Sequence, residues 1–404
     1  MIRRWLAEEL KHQIGYRRGV HLTGARQTGK TTLAGAVEIE TVRRYSMDVV
    51  KVREAAAGDP YGFVKHADGE TMVIDEVQKV PELLDAIKTV LDSDNSKGQY
   101  LLTGSSNLHF AKKIKDSLAG RLGRLRLRPL SLGEMNGAAP TFLRSAFARS
   151  LKSSYDDIDK RGVIATAFVG GYPEPQDFSV KERSDWFKVY LDDILNKDVK
   201  DVTEIRKIDV LRSVARWMLS YSTQFFAVDE LAAKAGVAKV TIESYLETLE
   251  ALYLFDKVPA WSGSDYDFLG KRPKWIACDT GMMASILKWN PEEVYFDDNR
   301  SGKLVESWVY QQLAAIAEAE GGYSISHYRD NKKREIDFIV ERDDGAMLGV
   351  EVKAGSVAGT DFKHLKWFAE NLARNSFTGV VLYSGKDVLR FGEGFYAVPL
   401  SALG

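Results

Sequence analysis

The sequence predicts an α/β chain in several parts: an N-terminal domain on a parallel sheet, a helical and winged-helix-like middle, and a C-terminal domain of mixed α/β structure. Three observations predict it. A length of 404 residues exceeds one ordinary hydrophobic core. Up to about Glu134, short apolar runs alternate with amphipathic stretches. Helical signals then dominate from about Ala138, and strand signals return after about Lys271. These shifts divide the chain into 1–137, 138–206, 207–270 and 271–404.

Taken in order, Gly19–Thr23, Thr71–Ile74 and Tyr100–Thr103 read as strands, with Leu83–Leu91 a helix between the last two. Arg124-Leu-Arg-Leu-Arg128 alternates with the period of a strand. From Ala138 to Arg206 the signals are helical, broken by the turn Gly170-Gly-Tyr-Pro-Glu-Pro175. Leu211 to Trp261 gives a helix, a short helix Val228–Ala235, a turn at Gly236, a longer helix from Lys239 and the strand-like run Leu252–Trp261, the order of a winged helix. The last part opens with a helix through Leu304–Glu318. Strands follow at Ser324–Tyr328, Glu335–Glu341 and Leu348–Lys353, then a helix at Phe362–Asn371, and strands at Gly379–Tyr383 and Gly394–Val398.

Composition narrows the setting. Hydrophobic residues make up 45% of the chain, and a single cysteine, Cys278, leaves no intramolecular disulfide, which favours a reducing compartment. The first residues mix charges with apolar side chains and lack a signal-peptide core. No stretch approaches the roughly 18 uncharged apolar residues of a membrane span, so a cytoplasmic protein without a membrane partner is expected. A net charge of −1 excludes a generic polyanion binder. Charge is nevertheless local: Lys112, Lys113, Lys115, Arg121, Arg124, Arg126 and Arg128 face Asp116 alone, and Arg329, Lys332, Lys333 and Arg334 form a second group. Each run is either a solvated face or, beside the motifs below, a surface for phosphates.

Gly24-Ala25-Arg26-Gln27-Thr28-Gly29-Lys30-Thr31, with Thr32 following, fits the phosphate-loop pattern at every position and lies between a strand and a helix. Glycines let backbone N–H groups curl around a β-phosphate at a helix N-terminus. Lys30 is expected to reach the β- and γ-phosphates and Thr31 to hold Mg2+, with ATP the nucleotide. Thr71-Met-Val-Ile-Asp75-Glu76 carries two carboxylates to a strand end, Asp75 for the metal and Glu76 for the attacking water. The strand ending at Thr103 leads into Gly-Ser105-Ser-Asn107. Resemblance to AAA-type ATPases, which hold a sensor of the γ-phosphate or the water at this place, implies that role for Thr103, Ser105 or Asn107 equally, with ordinary turn chemistry the plainer reading of Ser and Asn.

A second constellation lies near the end. Asp337 stands in Glu335-Ile-Asp-Phe-Ile-Val, and Glu351 and Lys353 in Gly349-Val-Glu-Val-Lys. Strand alternation puts Glu351 with Lys353, and Glu335 with Asp337, on shared faces, with Val350 and Val352 packing inward. Carboxylates and a lysine on adjacent strands suit magnesium-assisted phosphodiester cleavage, with Glu306 on the preceding helix as a further ligand. A surface ion pair at Lys353 is the plainer alternative. The order of elements around these residues resembles the PD-(D/E)XK, restriction-endonuclease-like nuclease fold.

The pieces together resemble a prokaryotic family of ATPases with an N-terminal AAA-superfamily P-loop domain and a C-terminal domain of unknown function. GARQTGKTT, YSMD, DPYGF, VIDEVQKVPELL, LLTGSS, SLAGRLGRLRLRPLSLGE, GGYPEP, PKWIACDTGM and the EID…EVK pair carry the resemblance almost end to end. It implies ATP binding and hydrolysis. By likeness to AAA proteins it makes Arg121 a candidate arginine finger for a neighbouring copy; solvent exposure or a pair with Asp116 is the alternative. The middle helix from Lys239 carries Glu243, Glu247 and Glu250, which a polyphosphate repels. Two readings follow. In one, an ATPase acts on nucleic acid, DNA included, through a nuclease-like domain; in the other, an ATP switch has a C-terminal domain that binds a partner without cutting.

Overall fold

Five strands, numbered in chain order, open the computed structural model, which describes residues 2–39, 41–65, 69–104, 118–198, 208–263, 272–373 and 375–404. β1 (Gly19–Thr23), β2 (Val42–Ser46), β3 (Thr71–Asp75), β4 (Tyr100–Thr103) and β5 (Leu122–Arg126) pair in parallel in the order β2-β3-β4-β1-β5. β1, β3 and β4 are buried almost throughout, because helices cover both faces of such a sheet. Their residues alternate between two cores. Val20, Leu22, Val73 and Leu101 pack with Leu6 and Leu10 of the first helix, Leu6–Tyr16, and with Leu33 of helix Lys30–Ala36. Met72, Ile74, Tyr100 and Leu102 pack on the other side against Leu83, Leu84, Ile87 and Leu91, one apolar stripe of helix Leu83–Ser93. β4 therefore separates β1 from β3, and the ends of all three meet at one sheet edge.

In the middle part, Asp159 caps helix Lys160–Val169 by accepting the Gly162 N–H, and Ser179 with Glu182 forms a reciprocal cap on helix Val180–Asp193. One element there departs from the helical expectation. β6 (Ser154–Ile158) is a short strand with little burial. Its Ser-Tyr-Asp-Asp-Ile sequence has no apolar period, and its partner comes from the far end of the chain. Helices Ile208–Ser220, Val228–Ala235 and Lys239–Ala251 then precede an antiparallel hairpin of β7 (Phe255–Val258) and β8 (Lys274–Ala277), the winged-helix order. The hairpin brackets position 270.

The C-terminal part pairs β9 (Tyr323–Arg329), β10 (Glu335–Arg342) and β11 (Met347–Val352) antiparallel, and continues in parallel through β12 (Phe377–Tyr383). β13 (Gly385–Asp387) leaves the sheet to pair with β6. β14 (Leu389–Arg390) and β15 (Phe395–Pro399) complete the order β14-β15-β12-β11-β10-β9. One face, with Phe338, Val350, Val380 and Val398, shares a core with Leu304 and Trp308 of the long helix Asp298–Glu320 and with the middle helices. The other face packs Ile336, Met347 and Val381 against Leu365 and Phe368 of helix Lys363–Asn371. The β9–β10 register shifts between Ile336 and Ile339, so Asp337 and Phe338 stand together at a bulge, a device that re-aims side chains. Among the described residues no helix is long and apolar enough to cross a membrane.

Candidate nucleotide site and a C-terminal acidic constellation

β1 ends at Thr23, and the chain bends over Gly24–Gly29 into helix Lys30–Ala36. The bend needs glycine. Gly24 has φ 143°, and a Cβ there would lie 2.3 Å from the Leu127 carbonyl oxygen. Gly29, at the helix N-cap, is left-handed with φ 94°. Lys30 is buried and donates to the Gly24 and Ala25 carbonyls at 2.9 and 2.7 Å. Thr28 closes the loop on itself through the Ala25 carbonyl at 2.9 Å, while Arg4 donates to the Thr28 carbonyl at 2.6 Å. The Arg26 carbonyl accepts from the Tyr190 hydroxyl at 3.2 Å. The loop is thus braced from the first helix and from the middle part.

Strand order then builds the acidic half. Thr31 Oγ1 donates to the two Asp75 carboxylate oxygens at 3.0 and 3.2 Å. From β4, between the two motifs, the Thr103 hydroxyl also donates to Asp75 and accepts the Glu76 N–H at 3.4 Å. Thr103 is therefore the sensor candidate that meets this site; Ser105 and Asn107 lie outside the described residues. Glu76 turns away from the strand in a left-handed conformation, φ 55°, and its carboxylate accepts from Gln78 Nε2. Left-handed backbone is uncommon outside glycine and concentrates at functional turns.

Two adjoining cavities share Gly29, Thr32 and Pro173. One, about 720 Å³, is lined by Arg26, Lys30, Thr31, Glu76, Trp186 and Tyr190. The other, about 580 Å³, is mostly apolar and lined by Ile2, Ala7, Leu33, Val37 and Leu130 together with Thr28. A cleft of mixed polarity around Lys30 and Thr31, beside a more apolar one, suits a ligand with a charged tail and an aromatic base. Trp186 and Tyr190 stack at 5.1 Å on helix Val180–Asp193 to wall the first cavity. Thr31 and Asp75 supply two hard oxygens, and magnesium at a phosphate site needs no more from protein, its other ligands being phosphates and waters.

The segments Gly170–Pro173 and Cys278–Met282 meet each other. Asp279 accepts the Gly171 and Met282 N–H groups at 2.7 Å each, and a Cβ at Gly281 would stand 2.4 Å from the Val169 carbonyl oxygen. Burial pushes the Asp279 carboxyl up to about 6 against the pull of those N–H donors.

Of the alternating arginines Arg124 is exposed, as on a solvated face, whereas Arg126 and Arg128 fit neither a solvated face nor a phosphate surface. Arg126 and Arg128 each reach Asp256 of β7 at 2.6 Å, where Tyr310 also donates at 2.8 Å, and Asp256 is only 6% exposed. The two guanidiniums hold this carboxyl far below its usual range despite burial. Cys278 is buried against the same group. Arg329 and Arg334 of the second basic run are likewise engaged, with Glu335 at 3.4 Å and Asp330 at 2.6 Å. Lys332 and Lys333 are exposed at the β9–β10 turn. Lys112, Lys113, Lys115 and Asp116 lie outside the described residues. Arg121 precedes β5 at the sheet edge opposite the P-loop and pairs with Asp92 at 2.5 Å.

The C-terminal residues named from sequence do converge. Asp337 and Glu351 flank the Phe338–Val350 pair on adjacent strands, and Lys353 Nζ lies 3.1 Å from Glu351. Val350 is buried and Val352 half-buried, with the Val352 N–H donating to Asp337 at 2.9 Å. Glu306 comes in from the long helix. Sequence reasoning missed the residue at the centre: Lys274 of β8, whose ammonium lies 2.9 Å from Glu306, 2.8 Å from Glu335 and 3.6 Å from Asp337. Burial and like charge push Glu306 up to about 8, while the three carboxylates hold Lys274 above its usual range. Its only sequence signal is a lysine inside an otherwise apolar strand, Lys-Trp-Ile-Ala.

A family model described as an AAA domain matches residues 16–136, and two models described as domains of unknown function match residues 161–293 and 301–403. Uncharacterized proteins of Mycobacterium tuberculosis and Mycobacterium bovis are each 25% identical over 403 residues, covering 98% of this chain and 83% of theirs. An uncharacterized protein of Methanocaldococcus jannaschii is 23% identical over 283 residues, covering 67% of this chain and 58% of its own. Among solved structures, a Walker-type ATPase of Pyrococcus abyssi overlaps at a TM-score of 0.44 and 15% identity, covering 71% of this chain and 96% of that one. The N-terminal part is a P-loop, AAA-like ATPase domain, on the strength of the matched family and the loop geometry together.

Proposed function

We propose that this chain binds ATP with magnesium at Gly24–Thr32, hydrolyses it, and uses the cycle as a switch on the parts that follow. The carrying observation is the meeting of Thr31, Asp75 and Thr103 at the mouth of the loop. In this reading Lys30 leaves the loop carbonyls for the β- and γ-phosphates. Thr31 and Asp75 hold magnesium, whose charge neutralises the phosphates. Glu76 orients the attacking water and takes its proton, and Thr103 fixes Asp75 while sensing the γ-phosphate. The base enters the apolar cavity beside Leu33 and Val37.

Two contacts carry the cycle outward: Tyr190 on the Arg26 carbonyl, and Arg126 and Arg128 on Asp256. The engaged arginines and the acidic helix Lys239–Ala251 favour the switch over a nucleic-acid cutter. We place its setting in the cytoplasm, where ATP and magnesium are available. Phosphate release from the full chain tests the reading, with and without magnesium, for wild type and Lys30→Ala, and with single-stranded DNA, duplex DNA or RNA added. Magnesium-dependent release lost in Lys30→Ala is expected. No release under any condition sinks the hydrolase, and strong stimulation by one nucleic acid restores the nucleic-acid reading.

A further inference from the structure

Four carboxylates crowd one end of the C-terminal sheet: Glu306, Glu335, Asp337 and Glu351, none more than about a third exposed. Such a group must be neutralised, by protons, by a metal ion or by protein cations. A nuclease fold implies the metal. The geometry supplies the protein cation instead. The Lys274 side chain is 1% exposed and reaches three of the four carboxylates, and Lys353 reaches the fourth. One Asp337 oxygen is already committed to the Val352 N–H. Among the described residues, no three carboxylate, imidazole or thiol groups converge in a metal-holding arrangement.

We infer that Lys274 is the resident cation of this constellation, filling the place of a divalent metal, so that the C-terminal domain as built neither takes up such a metal nor cuts phosphodiesters. Lys274 does not sit there by local chance. Its strand β8 pairs with β7 in a register that opposes Ile276 to Asp256 and Lys274 to Val258. The same hairpin is thus fixed at Asp256 by two arginines of the ATPase sheet and at Lys274 by three carboxylates of the C-terminal part. A divalent ion among Glu306, Asp337 and Glu351 would meet a buried ammonium with no route to water. Mutual repulsion in that low-dielectric site excludes one of the two. Lys274 now spaces Glu306, Glu335 and Asp337 around itself; without the ammonium these hard oxygens, of the kind manganese and magnesium use, can close on an ion. The inference stands apart from the ATP reading, since it concerns nucleotide-free protein and other residues.

Manganese uptake by the full chain without nucleotide, followed by the loss of the free-ion EPR signal, tests it. Every protein compared carries Asp75→Asn to silence the P-loop. The parent and its Asp337→Asn derivative should take up manganese equally little. Lys274→Met should gain one equivalent with at least tenfold tighter binding, and adding Asp337→Asn should abolish the gain. Manganese should also raise the melting temperature of Lys274→Met alone. Uptake by the parent that Asp337→Asn removes, nucleic-acid cleavage by the parent that Asp337→Asn removes, or a folded Lys274→Met without gain each overturns the inference. If Lys274→Met does not fold, the parent and Asp337→Asn pair decides it, with Lys274→Arg expected to fold and still exclude manganese.

Discussion

The Thr103 hydroxyl joins two functional groups at one point, donating to Asp75 and accepting the Glu76 N–H. Thr103→Val keeps its shape and removes both contacts. It should lower turnover about tenfold or more while leaving ATP affinity near wild type, since its contacts matter to the water-activating side. Unchanged kcat would remove Thr103 from the site. Asp279 gives a pH prediction. Its carboxyl holds its proton more tightly folded than unfolded, so its contribution is full below the ordinary carboxylate range and lost as pH rises through about 6. Asp279→Asn should flatten urea stability between pH 4 and 6; an unaltered profile would contradict the assignment. At this scale the P-loop was legible because its glycines and lysine act through local backbone. Lys274 was not: its meaning depends on Glu306, Glu335 and Asp337, which only the tertiary fold brings to it.

Hairpin β7–β8 is the element whose role changes most once packing is known. As part of a winged helix it reads as a wing, yet it is pinned at both ends by buried charge. Asp256→Ala should destabilise the fold by about 3–5 kcal/mol, because two buried guanidiniums lose their partner. Equilibrium urea unfolding measures this, and a loss below about 1 kcal/mol would mean the arginines find other partners. Tyr190→Phe removes only the hydroxyl that bridges Arg26 and Tyr172, and about 1 kcal/mol is expected from each bond of this kind. Long periodic elements were legible: the apolar stripe of Leu83–Ser93, the order of the middle helices, and the strands β10 to β12. The alternation of Arg124–Arg128 holds as a strand only to Arg126, and of its arginines Arg124 is exposed while Arg126 and Arg128 are covered by a carboxylate. A period of two says which residues share a face and cannot say that Asp256 will cover it. β6 had no apolar pattern at all, and only its pairing with β13 makes it a strand.

Across the whole molecule, one continuous core joins the middle helices to a face of the C-terminal sheet, so movement at the P-loop has a packed body to act on. Arg121 bears on assembly. Its edge of the sheet faces away from its own P-loop, so any role in hydrolysis requires a second copy, and Asp92 holds it meanwhile. Mixing Arg121→Ala with Lys30→Ala should restore part of the activity each lacks, because an arginine supplied in trans contributes on the order of 10³ or more to turnover. Activity per mole that does not vary with protein concentration would rule this out. Glu76, turned out of β3 beside Thr31 and Asp75, is the residue proposed to activate water for ATP hydrolysis. The most direct measurement compares ATP affinity and single-turnover hydrolysis in wild type and Glu76→Gln with magnesium present. Affinity should hold within a few-fold while hydrolysis falls by about 10²-fold or more; equal hydrolysis by the two proteins would take the base role away from Glu76.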